Sequence, residues 1–228
     1  MRYKKLLLSA WAVAAILTIS GCGRNPSENQ PAASINGESG GALKSNSLHS
    51  AKTDFELKHP QVIIDTSLGS ITVELDKEKS PLTVDNFLAY VDAASYDQTI
   101  FHQVYKNQAV LAGGYTASGT EIRPRIAVSN EAHNGLKNRR GTIAMYRHPD
   151  VIDSATSQFF INVADNTLLD CRTRDPGDPE GYGYCVFGQV VKGMEVVNKI
   201  AETPVNNTEK FDQTPVQAVI VKSIRRVK

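Results

Sequence analysis

The sequence reads as a mainly β domain: an antiparallel barrel whose open ends are plugged by helices. Short runs rich in β-branched residues recur from residue 61 to the end of the chain, separated by polar connections bearing Gly and Pro. Only two segments in that span carry helical periodicity, one near each end. Once a leader and a polar tether are set aside, about 170 residues remain, enough for one domain with one core.

The chain opens with "MRYKKLLLSAWAVAAILTISGCG". Arg2, Lys4 and Lys5 precede an uncharged, largely apolar run from Leu6 to Ile19. That run falls short of the roughly 20 helical residues needed to span about 30 Å of hydrocarbon. A basic start, an apolar stretch and small residues before a cleavage point describe an export leader over 1–21. Ile19-Ser20-Gly21-Cys22 resembles the lipobox of bacterial lipoproteins. The resemblance implies cleavage before Cys22, diacylation of its sulfur and a membrane held through that lipid. Gly23 after the cysteine implies the outer membrane, facing the periplasm. Residues 22–59 are rich in Ser, Asn, Gly, Ala and Pro and read as a flexible tether, with the domain proper at 60–228.

"QVIIDTSLGSITVELD" places two β-branched runs around Ser67-Leu68-Gly69, a hairpin pattern, with Ile71, Val73 and Leu75 on one face of the second run. "SPLTVDNFLAYVDAA" follows as a helix. Ser80 stands at its N-cap, Pro81 at its first position, and Val84, Phe87, Leu88 and Val91 along its buried stripe. Strands are expected at Ile100–Tyr105, Ala109–Ala112, Thr142–Tyr146, Gln158–Val163 and Cys185–Val191. A second helix is expected over 193–203, with Val196, Val197 and Ile200 inward, and a closing strand over 216–227. Removing Arg2, Lys4 and Lys5 with the leader leaves 22 basic against 24 acidic side chains, with no block of like charge. That excludes nucleic acid as an electrostatic partner.

"TSQFFIN" (156–162), "RGTIAM" (140–145) and "VFGQVVKGMEVV" (186–197), with the hairpin, the "VDNFLAYV" helix and "FHQVYKNQAVLAGGY" (101–115), resemble cyclophilin motifs in that family's order. The resemblance covers about 61 to 227. It implies a closed eight-stranded barrel capped by two helices, peptidyl-prolyl cis-trans isomerase activity and no metal or organic cofactor. The reaction is rotation about a peptide C–N bond, against a barrier of ~18–20 kcal/mol. A catalyst needs a pocket for the proline ring, a grip on the carbonyl side and a donor to the prolyl nitrogen. That nitrogen regains its lone pair only as resonance is lost, so the donor favours the twisted state.

Residue by residue, the resemblance makes His102 the family histidine and puts Gln103 at the position of the family arginine, the donor. Gln108, Ala109 and Leu111 stand where an aromatic residue, a methionine and a glutamine line the site. Met145, Tyr146 and Arg147 fall along the facing strand and peptide groove. Gln158 matches, Phe160 is the expected floor of the proline pocket, Leu168 replaces a frequent tryptophan, Leu169 matches the pocket leucine and Tyr184 takes the last aromatic position. Gln103 donates without charge, and charge-assisted hydrogen bonds are roughly twice as strong as neutral ones. The nearest replacement cations are Lys106 and Arg147, the latter expected as a solvated residue at the groove edge.

Cys171 and Cys185 flank "RTRDPGDPEGYGY". After export a disulfide closing this loop is the expectation, with two free thiols as the alternative. Zinc is not expected, because two cysteines without a nearby histidine pair leave its tetrahedron incomplete. The functional expectation is a monomeric, lipid-anchored isomerase acting on proline-containing segments of exported proteins, with reduced activity. The alternative is a proline-peptide-binding or chaperone module on the same fold. Gln103, Gln108, Ala109 and Leu111 favour the alternative; Gln158, Phe160 and Leu169 favour the isomerase.

Overall fold

The computed structural model describes residues 54–227. The leader at 1–21, Cys22 and the tether up to residue 53 lie outside the described residues. The expected tether runs to 59, but residues 54–58 are already helical. The Lys77 amide donates to the Lys58 carbonyl at 2.9 Å, and Phe55 packs on His59 with ring centroids 4.6 Å apart.

The strands are β1 (Gln61–Thr66), β2 (Gly69–Leu75), β3 (Thr99–Phe101), β4 (Gln103–Tyr105), β5 (Ala109–Ala112), β6 (Thr142–Met145), β7 (Phe159–Asn162), β8 (Val186–Lys192), β9 (Val205–Asn206), β10 (Thr214–Pro215) and β11 (Val219–Arg226). The α-helices are α1 (Pro81–Asp92), a single turn α2 (Pro179–Tyr182) and α3 (Met194–Ala201). The large sheet runs β3-β11-β1-β2-β8-β6-β7-β5-β4, and β9 pairs separately with β10. Its two outermost strands, β3 and β4, are separated in sequence by His102 alone. They form one bent strand, so the antiparallel sheet closes on itself and eight strands surround the core. The His102 amide donates to the Leu111 carbonyl at 3.1 Å across the bend.

Alternation along the strands fills the interior as the sequence dictates. Val62 and Ile64 of β1 and Ile71, Val73 and Leu75 of β2 are fully buried. Helix α1 closes one end with Val84, Phe87, Leu88 and Val91. The Phe87 ring lies 5.4 Å from Tyr96, 5.6 Å from Phe159 and 5.2 Å from Phe187. Helix α3 brings Val196, Val197 and Ile200 to the core near the β1–β2 turn. There Gly69, at φ +133°, leaves space for Val196, whose Cγ2 would stand 2.8 Å from an added Cβ.

Ser80 occupies the N-cap of α1 without capping it. Its hydroxyl donates instead to the Val186 carbonyl at 3.0 Å. The cap is the Glu131 carboxylate, which accepts from the backbone N–H of Leu82 (3.2 Å) and Thr83 (2.9 Å) and from the Thr83 hydroxyl (2.7 Å). Its charge also sits at the positive end of the helix dipole. Glu131→Ala should therefore destabilise the domain by about 1–2 kcal/mol in urea unfolding, and Glu131→Gln, which keeps an acceptor, by less.

Candidate active site

The register of the strands assembles the site. Val104, Val110, Ile161 and Ile143 face each other across β4, β5, β7 and β6, and all four belong to the core. The neighbouring row, Gln103–Leu111–Phe160–Ala144, faces the other way by pleat alternation and forms the floor of a surface on the outside of the barrel. The next row on that face is Tyr105–Ala109–Asn162.

Phe160 is 2 % exposed and meets Tyr184 edge-on at 5.8 Å. Leu111, Ala109 and Leu169 are buried on the same side of the barrel wall. Leu169 is held by an asparagine network that sequence reasoning missed. Asn138 donates from Nδ2 to the Leu169 carbonyl (3.0 Å), and its amide donates to Asp170 Oδ1 (2.7 Å). Asn166 Nδ2 donates to Asn162 Oδ1 (2.7 Å) and to the Gln108 carbonyl (2.9 Å). The only sequence trace of this network is the recurrence of Asn in "LKN", "FIN" and "ADN". Gln108 is half-buried in the turn before β5, beside the exposed Lys106. Leu168 is 54 % exposed.

Gln103 is partly exposed, and its amide nitrogen donates to the Tyr105 hydroxyl at 3.0 Å and to the Asp212 carbonyl at 3.3 Å. The Val104 amide bonds the Gln213 carbonyl at 2.8 Å, which fixes the 207–213 loop against β4. Gln158 lies over Gly114, where an added Cβ would meet its Cγ and Cδ at 2.8 Å, and it faces His102 and Tyr115.

Four expectations need correction. Met145, expected on the groove, points into the core beside Phe159, because alternation in β6 turns Ala144 outward instead. His102, expected in the site, is 1 % exposed and covered by Tyr115 (5.1 Å) and Phe211 (5.2 Å), with Nδ1 lacking a hydrogen-bond partner. Arg147 is not a solvated residue at the groove edge: it is 2 % exposed. Its guanidinium donates to the carbonyls of Gly183 (2.9 Å), His148 (2.9 Å), Pro149 (2.8 Å) and Pro179, and it stacks on Tyr184 at 4.8 Å. Half-buried Tyr146 stacks on the same Tyr184 ring, centroids 6.3 Å apart. Cys171 and Cys185 are free thiols. Although the Tyr184 amide donates to the Leu169 carbonyl, the buried Cys185 side chain turns to Thr83 Oγ1 (3.4 Å), whereas Cys171 bonds the Thr173 carbonyl. Burial pushes the Cys185 thiol up to about 11.

The arrangement provides an apolar floor for a small ring, flanked by neutral donors and acceptors that can hold an extended peptide. Among the described residues, no group of three or more His, Cys, Asp or Glu side chains gathers to hold a metal. The model of the cyclophilin type peptidyl-prolyl cis-trans isomerase family matches residues 61–226. Peptidyl-prolyl cis-trans isomerase A of Dickeya dadantii is 44 % identical over 73 % of this chain and 84 % of its own length. Peptidyl-prolyl cis-trans isomerase B of Escherichia coli is 39 % identical over 72 % of this chain and 97 % of its own. A crystal structure of a cyclophilin type isomerase from Cryptosporidium parvum superposes with a TM-score of 0.61 at 25 % identity, over 75 % of this chain and 98 % of that one. The chain belongs to the cyclophilin-type peptidyl-prolyl cis-trans isomerases.

Burial, with repulsion from Lys210 added, lowers the His102 pKa from 6.5 to about 4, against opposing contributions from Ile100 and Gln158. The imidazole is therefore neutral in the fold at pH 7. The unfolded chain takes up this proton below about 6.5 while the native state refuses it until about 4. The stabilisation is thus complete above that window and is lost as pH falls through it, by roughly 3 kcal/mol in all. His102→Phe should flatten the fall of the urea midpoint between pH 6.5 and 4 relative to wild type.

Proposed function

We propose that this isomerase is a lipid-anchored, monomeric enzyme of the bacterial cell envelope. In this reading it works in the periplasm on proline-containing segments of exported proteins, at a reduced rate. The observation that carries the reading is the outer-face row itself: Phe160 and Leu111, with Leu169 nearby, form an apolar floor beside a neutral Gln103. A proline ring seated over Phe160 is desolvated, and the peptide bond preceding it lies along the β4–β5 side. Rotation needs no nucleophile and no proton transfer. It needs the ring held still and a donor that meets the prolyl nitrogen in the twisted state. A neutral donor supplies less of that stabilisation than a guanidinium. The leader and Cys22 support the envelope location, and the near-balanced charge supports a peptide rather than a nucleic acid as partner.

The rate of cis-to-trans conversion of a short Xaa-Pro peptide tests the activity. Gln103→Arg should raise kcat/KM by about tenfold or more, because the new interaction exists mainly in the twisted state. Phe160→Ala should abolish both peptide binding and turnover. Peptide binding without turnover in both wild type and Gln103→Arg would make the domain a binding module.

For the anchor, wild-type protein should fractionate with membranes and carry lipid mass at its N-terminus. Cys22→Ser should leave the precursor unprocessed or release the protein.

A further inference from the structure

An open groove of about 910 Å³ is lined by α1 and by the 123–129 loop. It shares no residue with the outer-face row around Phe160. Its volume lies within the range of about 300–1,000 Å³ that ligand sites occupy. The lining combines three features that a merely solvated crease between a helix and a loop does not need.

The first is exposed apolar surface. Ile126 is 92 % exposed and Leu82, on α1, is 53 % exposed, with half-buried Ala89 one face along the same helix. The second is unspent hydrogen-bonding capacity. Asn86, 8 % exposed, donates from Nδ2 to the Thr156 carbonyl at 2.6 Å, while its Oδ1 accepts from no group among the described residues. The backbone N–H groups of Ile126 and Ala127 likewise have no partner among the described residues. The third is uncompensated positive charge. Arg139, Arg172, Arg225 and Arg226 each lie against a carboxylate. Arg123 and Arg125 do not, among the described residues. Asp85, the carboxylate of the lining, is already matched by Lys77 at 2.5 Å. Arg125 is nevertheless held in place: its amide donates to the Tyr90 hydroxyl, and its guanidinium stands 5.9 Å from the Tyr90 ring.

We propose that this groove is a second polypeptide-binding site, taking an extended segment whose carboxylate side chains stand among apolar ones. The charge selects the occupant. Two guanidiniums beside apolar walls favour a carboxylate, and water exclusion by a bound chain strengthens the pairing. Leu82 and Ile126 lose exposed apolar area when apolar side chains cover them. The N–H groups of Ile126 and Ala127 meet carbonyl oxygens of an extended backbone, and Asn86 Oδ1 meets one of its N–H groups. Nothing in the lining selects a proline ring, so the site is independent of the reading given to Phe160. Its effect is to hold a second stretch of a polypeptide by contacts separate from those at the isomerase surface, which raises the local concentration of that chain.

The test uses the processed protein and a dye-labelled, proline-free peptide of Ser-Leu-Glu repeats, with a counterpart carrying glutamine for glutamate. Fluorescence anisotropy should show saturable binding of the glutamate peptide. The glutamine peptide should bind about tenfold more weakly, and added salt should narrow that difference. The double variant Arg123→Gln, Arg125→Gln should weaken the glutamate peptide about tenfold and Ile126→Ser about fivefold, with urea midpoints unchanged because all three side chains are exposed. Excess short Xaa-Pro peptide should leave the probe bound. Absence of binding, equal Kd values for the glutamate and glutamine peptides, or displacement of the probe by the Xaa-Pro peptide overturns the proposal. The two-peptide comparison on wild type decides it even where a variant fails to fold, and none of these outcomes bears on isomerisation at Phe160.

Discussion

Closure of the barrel at His102 is the constraint from which the site follows. The 99–105 strand must pair with β11 on one side and with β5 on the other, and it does so by bending between β3 and β4. At the bend, strict alternation fails. Phe101 and Val104 both point inward, and His102 and Gln103 between them both leave the core. The imidazole is covered by Tyr115 and Phe211, which leaves the next side chain at the surface, level with Phe160. Gln103 is thus placed by the geometry of closure, and the fold would need that seam whatever side chain stood there.

Around this seam the structure uses polar side chains as braces for segments that lack regular pairing. Glu131 holds the start of α1, Asn138 and Asn166 hold the Leu169 turn, and Arg147 gathers carbonyls from 148–149, 179 and 183. A guanidinium can be buried at 2 % exposure because its donors meet carbonyl oxygens and its face meets the Tyr184 ring. The consequence for function is rigidity of the wall bearing Tyr184 and Leu169. A pocket that must restrain a five-membered ring during rotation benefits from walls fixed by directional bonds.

Much of the fold was legible in the sequence because its signals are local. The alternation of Ile71, Val73 and Leu75 and the helical stripe through Phe87 appear in the structure as read. The site was legible only as far as motif order could carry it. Matching "RGTIAM" to a family does not say which face of β6 bears Met145; register against β7 does. The role of Arg147 was hidden for a different reason: its partners are backbone carbonyls, which every residue has, brought together from separate loops. The two cysteines illustrate a third limit. The spacing of Cys171 and Cys185 does not fix the direction of the Cys185 side chain, which is decided by packing beneath α1. The Gln103–Tyr105 bond, in contrast, could have been suspected from i, i+2 spacing on a strand.

The position of β11 has a consequence in time. This strand lies between β1 and β3 and carries the bidentate pair of Arg225 with Asp97. Residues 61–66 and 99–101 therefore have no complete sheet partner until residues 219–226 are available. A chain emerging from its N-terminus, whether from a ribosome or through a membrane pore, can form the β1–β2 hairpin early. It cannot close the barrel, bury Phe101 or place Gln103 until its last strand arrives. Such dependence on contacts between distant parts of the chain makes closure a late and comparatively slow event. Until then the chain holds open, incompletely paired strands.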